Sequence, residues 1–200
     1  MQLHSYLKAV GIPGLISSIS LLCAWIAISL LLSDNLKLSI IAAVAAFFFD
    51  SIDGYVARKI DKASELGRQL DSMIDLVGYS IYSALLVSQA LLPNWQGFIV
   101  GFVIVLFGVL RLIRFNIVGY TDTNSVRYYS GIVTCHLSLA AISLLLITTR
   151  IAIPDFVMAT FLFVLAILQL SNIKTRKTGT LPFWYGVSIL LGVGAILWLP

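Results

Sequence analysis

Charge is scarce in this 200-residue chain: Asp, Glu, Lys and Arg make up 11% of it, against 60% hydrophobic residues. That ratio leaves no stretch for a soluble domain, a polar linker or a low-complexity tract, and no internal repeat is visible. Residues 1–200 read as one membrane domain. Cysteine is almost missing too. Cys23 and Cys135 both sit in apolar runs, with no CxxC or Cys/His spacing, so neither a disulfide framework nor a zinc site is expected. The opening MQLHSYLKAV is short and weakly amphipathic, and the run after it is too long for a signal peptide and lacks a small-residue cleavage pattern. It reads as an interfacial helix lying before the first span.

Long apolar runs are present nearly throughout. Runs of about 18 or more residues with almost no charge read as membrane-spanning helices. They fall at 11–32, 36–57, 66–91, 97–118, 131–149, 155–170 and 181–199. The expected fold class is therefore all-α: a polytopic transmembrane bundle of seven spans, or six if the short sixth segment is re-entrant. With the N-terminus in the cytoplasm, Lys8, Arg58, Lys59, Lys62, Arg68, Arg111, Arg114, Arg127, Lys174, Arg176 and Lys177 all lie on the cytoplasmic side, leaving only Lys37 and Arg150 outside. This asymmetry puts the N-terminus and the loops after spans two, four and six in the cytoplasm, and the expected location is the cytoplasmic membrane with the active site facing the cytoplasm. The net charge of +4 then reflects contact with anionic lipid headgroups, not nucleic acid.

The few acids are unevenly spread. Asp50, Asp53, Asp61, Glu65, Asp71 and Asp75 are six of the nine in the chain. Asp50 and Asp53 are spaced i, i+3 at the end of the second span, with Gly54 and Ala57 continuing the stripe. Asp71 and Asp75 are spaced i, i+4 at the start of the third, with Gly67 one turn before. The short connection lets the two helices face each other, so four carboxylates converge at the membrane edge. Each ionised side chain there carries roughly 2.5 to 3.5 kcal/mol on insertion scales, and like charges repel, so a cation should neutralise them. With only hard oxygen ligands on offer, Mg²⁺, Mn²⁺ or Ca²⁺ fits better than zinc or copper. Carboxylate-held divalent ions suit a phosphate or pyrophosphate ligand, and Arg58 adds a fixed cation. Asp34, Asp122 and Asp155 read as helix-end caps or ion pairs, while Asp61 and Glu65 read as solvated loop acids. His136 lies in an apolar run without an acidic neighbour in sequence and reads as a hydrogen-bonded interior histidine.

Asp50, Asp53, Gly54, Ala57, Arg58, Gly67, Asp71 and Asp75 match, without a gap, the pattern D-x2-D-G-x2-A-R-x8-G-x3-D-x3-D. In this the chain resembles the CDP-alcohol phosphotransferase family. The resemblance implies a six-helix membrane core, a homodimer, and replacement of the CMP of a CDP-linked lipid by an alcohol. It assigns Asp50, Asp53 and Asp71 to the metal and Asp75 to metal binding or to deprotonation of the attacking hydroxyl. Asp53, Gly54, Ala57, Arg58 and Gly67 would form the nucleotide site.

RLIRFNI at 111–117, GRQLDSMIDLV at 67–77, YYSGI and SNIK resemble the phosphatidylserine synthase branch. That implies CDP-diacylglycerol, or an archaeal CDP-ether lipid, and L-serine as substrates. Arg111 and Arg114, i and i+3 at the end of the fourth span, would capture the serine carboxylate or a lipid phosphate, or anchor the helix as positive-inside residues. The chain departs from the branch after Asp75, where GYSIYSA replaces a phenylalanine-glycine-valine-alanine-proline segment, and at SGIVTCH, where a proline is expected. Glycerol 3-phosphate or inositol phosphate is the alternative acceptor. A cation- or proton-coupled transporter is the rival from another class, since intramembrane acids also line ion pathways. Transporters, however, often show inverted repeats and midplane polar groups, whereas these acids cluster at one end.

Overall fold

The computed structural model describes residues 3–59, 65–119, 121–123, 126–176 and 181–199. Among these residues seven helices carry the fold: α1 (Leu3–Leu32), α2 (Leu36–Lys59), α3 (Glu65–Leu91), α4 (Trp95–Val118), α5 (Thr134–Thr148), α6 (Asp155–Leu168) and α7 (Leu181–Trp198). They occur where the apolar runs predict them, because in lipid a helix is the local structure that satisfies every backbone group within its own segment. Gly14–Leu32, α3 and α4 are long and apolar enough to cross a membrane, and Thr134–Thr148, α6 and Ile189–Trp198 are shorter apolar helices.

Local sequence sets the boundaries. Gly11 leaves helical geometry at φ 60°, ψ −166°, which separates the first turns of α1 from the apolar run that follows. Asp34 takes a left-handed conformation, φ 59°, in the turn to α2, and Asn35 Oδ1 accepts the N–H of Leu38. Asn94 caps α4, its Oδ1 accepting from the N–H groups of Gln96 and Gly97. Gly119, at φ 71°, ends that helix.

α1 packs along α2, α2 also against α7, and α4 lies between α3 and α6. The α3–α4 contact depends on small residues. A Cβ on Gly101 would fall 3.0 Å from the carbonyl oxygen of Ala84 and one on Gly108 against Ser80 Oγ, while one on Gly97 would meet the carbonyl of Leu92 in the turn that joins the two helices. Helices in lipid gain little from hydrophobic exclusion, so close backbone approach and interhelical hydrogen bonds hold them together. Ser39 Oγ donates to the carbonyl of Ala27 at 2.8 Å and lies 3.1 Å from the hydroxyl of Tyr82, and Ser20 Oγ donates to the carbonyl of Ala46 at 2.8 Å. The core runs through Ala27, Ile40, Tyr82, Leu86, Ile104, Leu137 and Leu162, while Phe98, Ile117 and Leu190 point outward as lipid-facing residues do.

Two features differ from the sequence reading. α3 is not uniformly α-helical: Leu76–Ile81 and Val87–Leu91 are π-helical, with α-helical turns at Glu65–Asp75 and Tyr82–Leu86. Hydrophobic periodicity is blind to a register shift of this kind. The fold is also not wholly helical. Three short antiparallel strands, β1 (Thr121–Thr123), β2 (Val126–Ser130) and β3 (Lys174–Arg176), pair in the order β1-β2-β3. They lie in the polar connections after α4 and α6, too short to give a period-2 pattern.

Candidate active site

The C-terminal half of α2 and the start of α3 bring three carboxylates together. Asp50, Asp53 and Asp71 each present an oxygen within 4.8 Å of the others. Asp53 is buried; Asp50 and Asp71 are half-buried. Oxygens this close on three acids form a hard, anionic donor set of the kind that holds a divalent cation, and the residues present therefore fit the ion expected from their chemistry.

Each of the two α2 acids is also held from another element. Ser17 on α1 donates to Asp53 Oδ2 at 2.5 Å, and Tyr79, in the first π-helical stretch of α3, donates to Asp50 Oδ2 at 2.7 Å. Neither donor is recognisable in sequence, because Ser17 is one of several serines in an apolar run and Tyr79 is one of several aromatics. Asp75 stands beside the trio. It interacts electrostatically with Asp50, Asp71 and Asp53 and with the cation of Arg111, but no described residue donates a hydrogen bond to it.

Gly67 lies in the first turn of α3 and is half-buried. Gly54, Ala57 and Arg58 belong to the helical backbone of α2, and their side-chain positions lie outside the described residues, as does Asp61. Glu65 is exposed at the start of α3. Ser72, between the two α3 acids, donates to Asn116 Oδ1 on α4 at 3.2 Å, which ties the RLIRFNI segment to the acid-bearing helix.

The two arginines of that segment occupy different environments. Arg111 is 3% exposed. Its guanidinium carbon lies 5.9 Å from the ring centroid of Phe115 and 5.7 Å from that of Tyr129, and Nη1 donates to Thr134 Oγ1 at 3.5 Å, while Nε has no hydrogen-bond partner among the described residues. A buried, unpartnered guanidinium N–H is a vacant donor for an anion. Arg114 instead donates to four backbone carbonyls: Leu170 at 2.7 Å, Ser130 at 2.6 Å, Gln169 at 3.0 Å and Ser171 at 3.2 Å. It fastens the end of α6 and the end of β2 to α4. Both arginines line a cavity of about 200 Å³ with Phe115, Tyr129, Ser130 and Asn172. Gly131, next to Ser130, sits at φ 81°, where a Cβ would meet the carbonyl oxygen of Gln169 and fall 2.9 Å from Arg114 Nη2.

Cys23 and Cys135 are unpaired and half-buried, and His136 is half-buried on α5 within electrostatic reach of Arg111. Asp155 accepts a hydrogen bond from Asn94 Nδ2 at 2.9 Å at the far end of the bundle.

Residues 10–170 match the family model described as CDP-alcohol phosphatidyltransferase. The chain is 32% identical over 111 residues to archaetidylserine synthase of Methanothermobacter thermautotrophicus, covering 54% of this chain and 48% of that protein. It is 34% identical over 108 residues to CDP-diacylglycerol–serine O-phosphatidyltransferase of Bacillus subtilis, covering 53% and 61%. The match to the protein of the latter name from Methanocaldococcus jannaschii is 30% identical over 197 residues and covers 97% of this chain and 89% of that one. The chain thus spans about half the length of the first of these relatives, three fifths of the second and most of the third.

Proposed function

We propose, for a chain that belongs to the CDP-alcohol phosphatidyltransferase family, transfer of the phosphatidyl group of CDP-diacylglycerol, or of an archaeal CDP-ether lipid, to the hydroxyl of L-serine with release of CMP. The observation that carries this reading is the convergence of Asp50, Asp53 and Asp71 within 4.8 Å, with a fourth carboxylate beside them. The names of the three relatives supply serine as the acceptor.

Asp50, Asp53 and Asp71 would hold the divalent ion, Mg²⁺ or Mn²⁺, with Asp75 at its margin. When bound, that ion would offset the negative charge of the pyrophosphate and of the departing CMP. Asp75, free of hydrogen-bond donors among the described residues, accepts the proton of the serine hydroxyl as its oxygen attacks the lipid-side phosphorus. The bond from that phosphorus to the bridging oxygen breaks, and CMP leaves with the oxygen. Arg111 lines the cavity, carries a buried Nε without a hydrogen-bond partner among the described residues, and would bind the serine carboxylate, orienting the hydroxyl toward Asp75. Arg58 contacts the nucleotide phosphates, and Gly54, Ala57 and Gly67 leave room for the cytidine. Arg114 shapes the acceptor cavity through the four carbonyls it gathers.

The protein is an integral membrane protein. We place it in the cytoplasmic membrane with seven spans, the N-terminus and the carboxylates facing the cytoplasm, and pair it as a homodimer, on the distribution of Lys and Arg and on the family.

The test is CMP release by the purified protein with CDP-diacylglycerol and Mg²⁺ or Mn²⁺, comparing L-serine with glycerol 3-phosphate, inositol, inositol phosphate and no acceptor. Release that requires serine and metal is the expected result. Preference for a phosphorylated alcohol would assign the arginine-lined cavity to a phosphate, and no release with any acceptor would overturn the reading in favour of a transporter.

A further inference from the structure

Tyr79 takes no part in the chemistry described so far, yet its hydroxyl is the one described donor to Asp50, at 2.7 Å. The ring is 6% exposed and packs edge-on against Phe47, with centroids 6.0 Å apart and planes at 71°. Its neighbours are mostly apolar: Ala43, Val44, Gly78, Leu139 and Ile142 line the same crevice. A buried phenol needs a partner for its hydroxyl, and satisfying that need is the bland account of the bond. That account does not explain why a hydroxyl is there at all, since a phenylalanine would fill the same apolar space at no polar cost.

The carboxylate at the other end of the bond supplies a reason. Asp50 has to keep an oxygen within 4.8 Å of two like-charged groups, an arrangement from which a freely rotating carboxylate would turn away. A donor anchored by aromatic packing fixes the plane of the carboxylate against that repulsion. Tyr79 reaches this position from the π-helical stretch Leu76–Ile81, whose wider turns carry the side chains after Asp75 off the Asp71–Asp75 stripe. Tyr79 itself falls in GYSIYSA, the segment where the chain departs from the pattern of the serine branch.

We infer that Tyr79 is a positioning residue: its hydroxyl holds Asp50 in the orientation that joins it to Asp53 and Asp71, and thereby sets the affinity of the site for a divalent cation. The inference rests on the metal-site reading above. Groups that orient metal ligands from outside typically change metal affinity by 10- to 100-fold when removed.

The experiment is a Mn²⁺ titration of purified wild-type protein and Tyr79→Phe, by calorimetry or by loss of the free-ion electron paramagnetic resonance signal. It is accompanied by CMP release as a function of Mn²⁺ in unpurified membranes, which needs no stable purified variant. Tyr79→Phe should bind Mn²⁺ roughly 10- to 100-fold more weakly and recover most of its turnover at saturating Mn²⁺, which a merely destabilised variant would not do. An unchanged Mn²⁺ dissociation constant or Mn²⁺ requirement in Tyr79→Phe would overturn the positioning role while leaving the metal site standing. Absence of Mn²⁺ binding by the wild type would overturn both.

Discussion

Ser17 of α1 donates its hydroxyl to Asp53 of α2 at 2.5 Å, and both residues are buried. The bond links a helix with no acid of its own to the carboxylate cluster, so the first span is part of the site. Removing one partner of a buried bond to a charged group costs about 1.5 to 3 kcal/mol. Ser17→Ala should therefore lower CMP release at limiting Mg²⁺ by about tenfold or more, while Ser17→Thr, which keeps the hydroxyl, should retain most of it. Equal activity of the two variants across a Mg²⁺ titration would separate Ser17 from the site.

The four acids divide into two roles that different measurements read. Asp50→Asn and Asp71→Asn should abolish both turnover and Mn²⁺ binding, because each supplies an oxygen to the trio. Asp75→Asn should bind Mn²⁺ close to normally yet lose roughly 10²- to 10⁴-fold in turnover, the usual contribution of a general base. All three proteins should still insert into the membrane. Wild-type turnover from any of them in purified form would remove that residue from the mechanism.

Arg111 and Arg114 sit one turn apart and should fail differently. Arg111→Gln removes the cation whose Nε is unpartnered, and should raise the KM for serine by about 10- to 100-fold, as expected for a lost charge-assisted hydrogen bond of about 1.5 to 3 kcal/mol. Metal affinity should change little. Arg114→Gln removes the donor to four carbonyls and should show chiefly as a lower unfolding temperature in detergent. A serine KM that moves with Arg114 and not with Arg111 would reverse this assignment.

Gly131 is required by both conformation and space. A side chain at φ 81° costs about 1 to 3 kcal/mol, and its Cβ would meet the carbonyl of Gln169. Gly119 has a similar φ of 71° but open space around it. Gly131→Ala should accordingly lower the unfolding temperature more than Gly119→Ala, and should also reduce serine affinity by crowding Arg114, a cavity-lining residue whose Nη2 would lie 2.9 Å from the new Cβ. Thermal unfolding of the two variants side by side checks the first point, and serine titration the second.

Much of this was legible in the sequence. Apolar runs fix the helices because lipid leaves the backbone no other local solution, and the helix boundaries differ from the runs by a few residues at most. The aspartate spacing put Asp50 with Asp53 on one helix face and Asp71 with Asp75 on another, and three of the four converge. Positive charge at the end of α4 was equally visible, but not its division between a carbonyl-gathering Arg114 and a buried Arg111 with an idle donor. That division arises because β2 and the end of α6 meet around one guanidinium and not the other, and no sequence signal marks where those two segments meet.

Composition and short-range spacing thus determined that the chain is a helical membrane protein with an acidic centre at one end of the bundle, since insertion and helix formation are local and each segment must satisfy its own backbone. Only the tertiary structure decided which side chains support that centre. Ser17 and Tyr79 stand 36 and 29 residues from the acids they hold, and such bonds depend on how α1 and the π-helical stretch of α3 pack against α2. No periodicity encodes that packing, because a hydrogen bond between helices needs only one suitable group on each, in register across the interface.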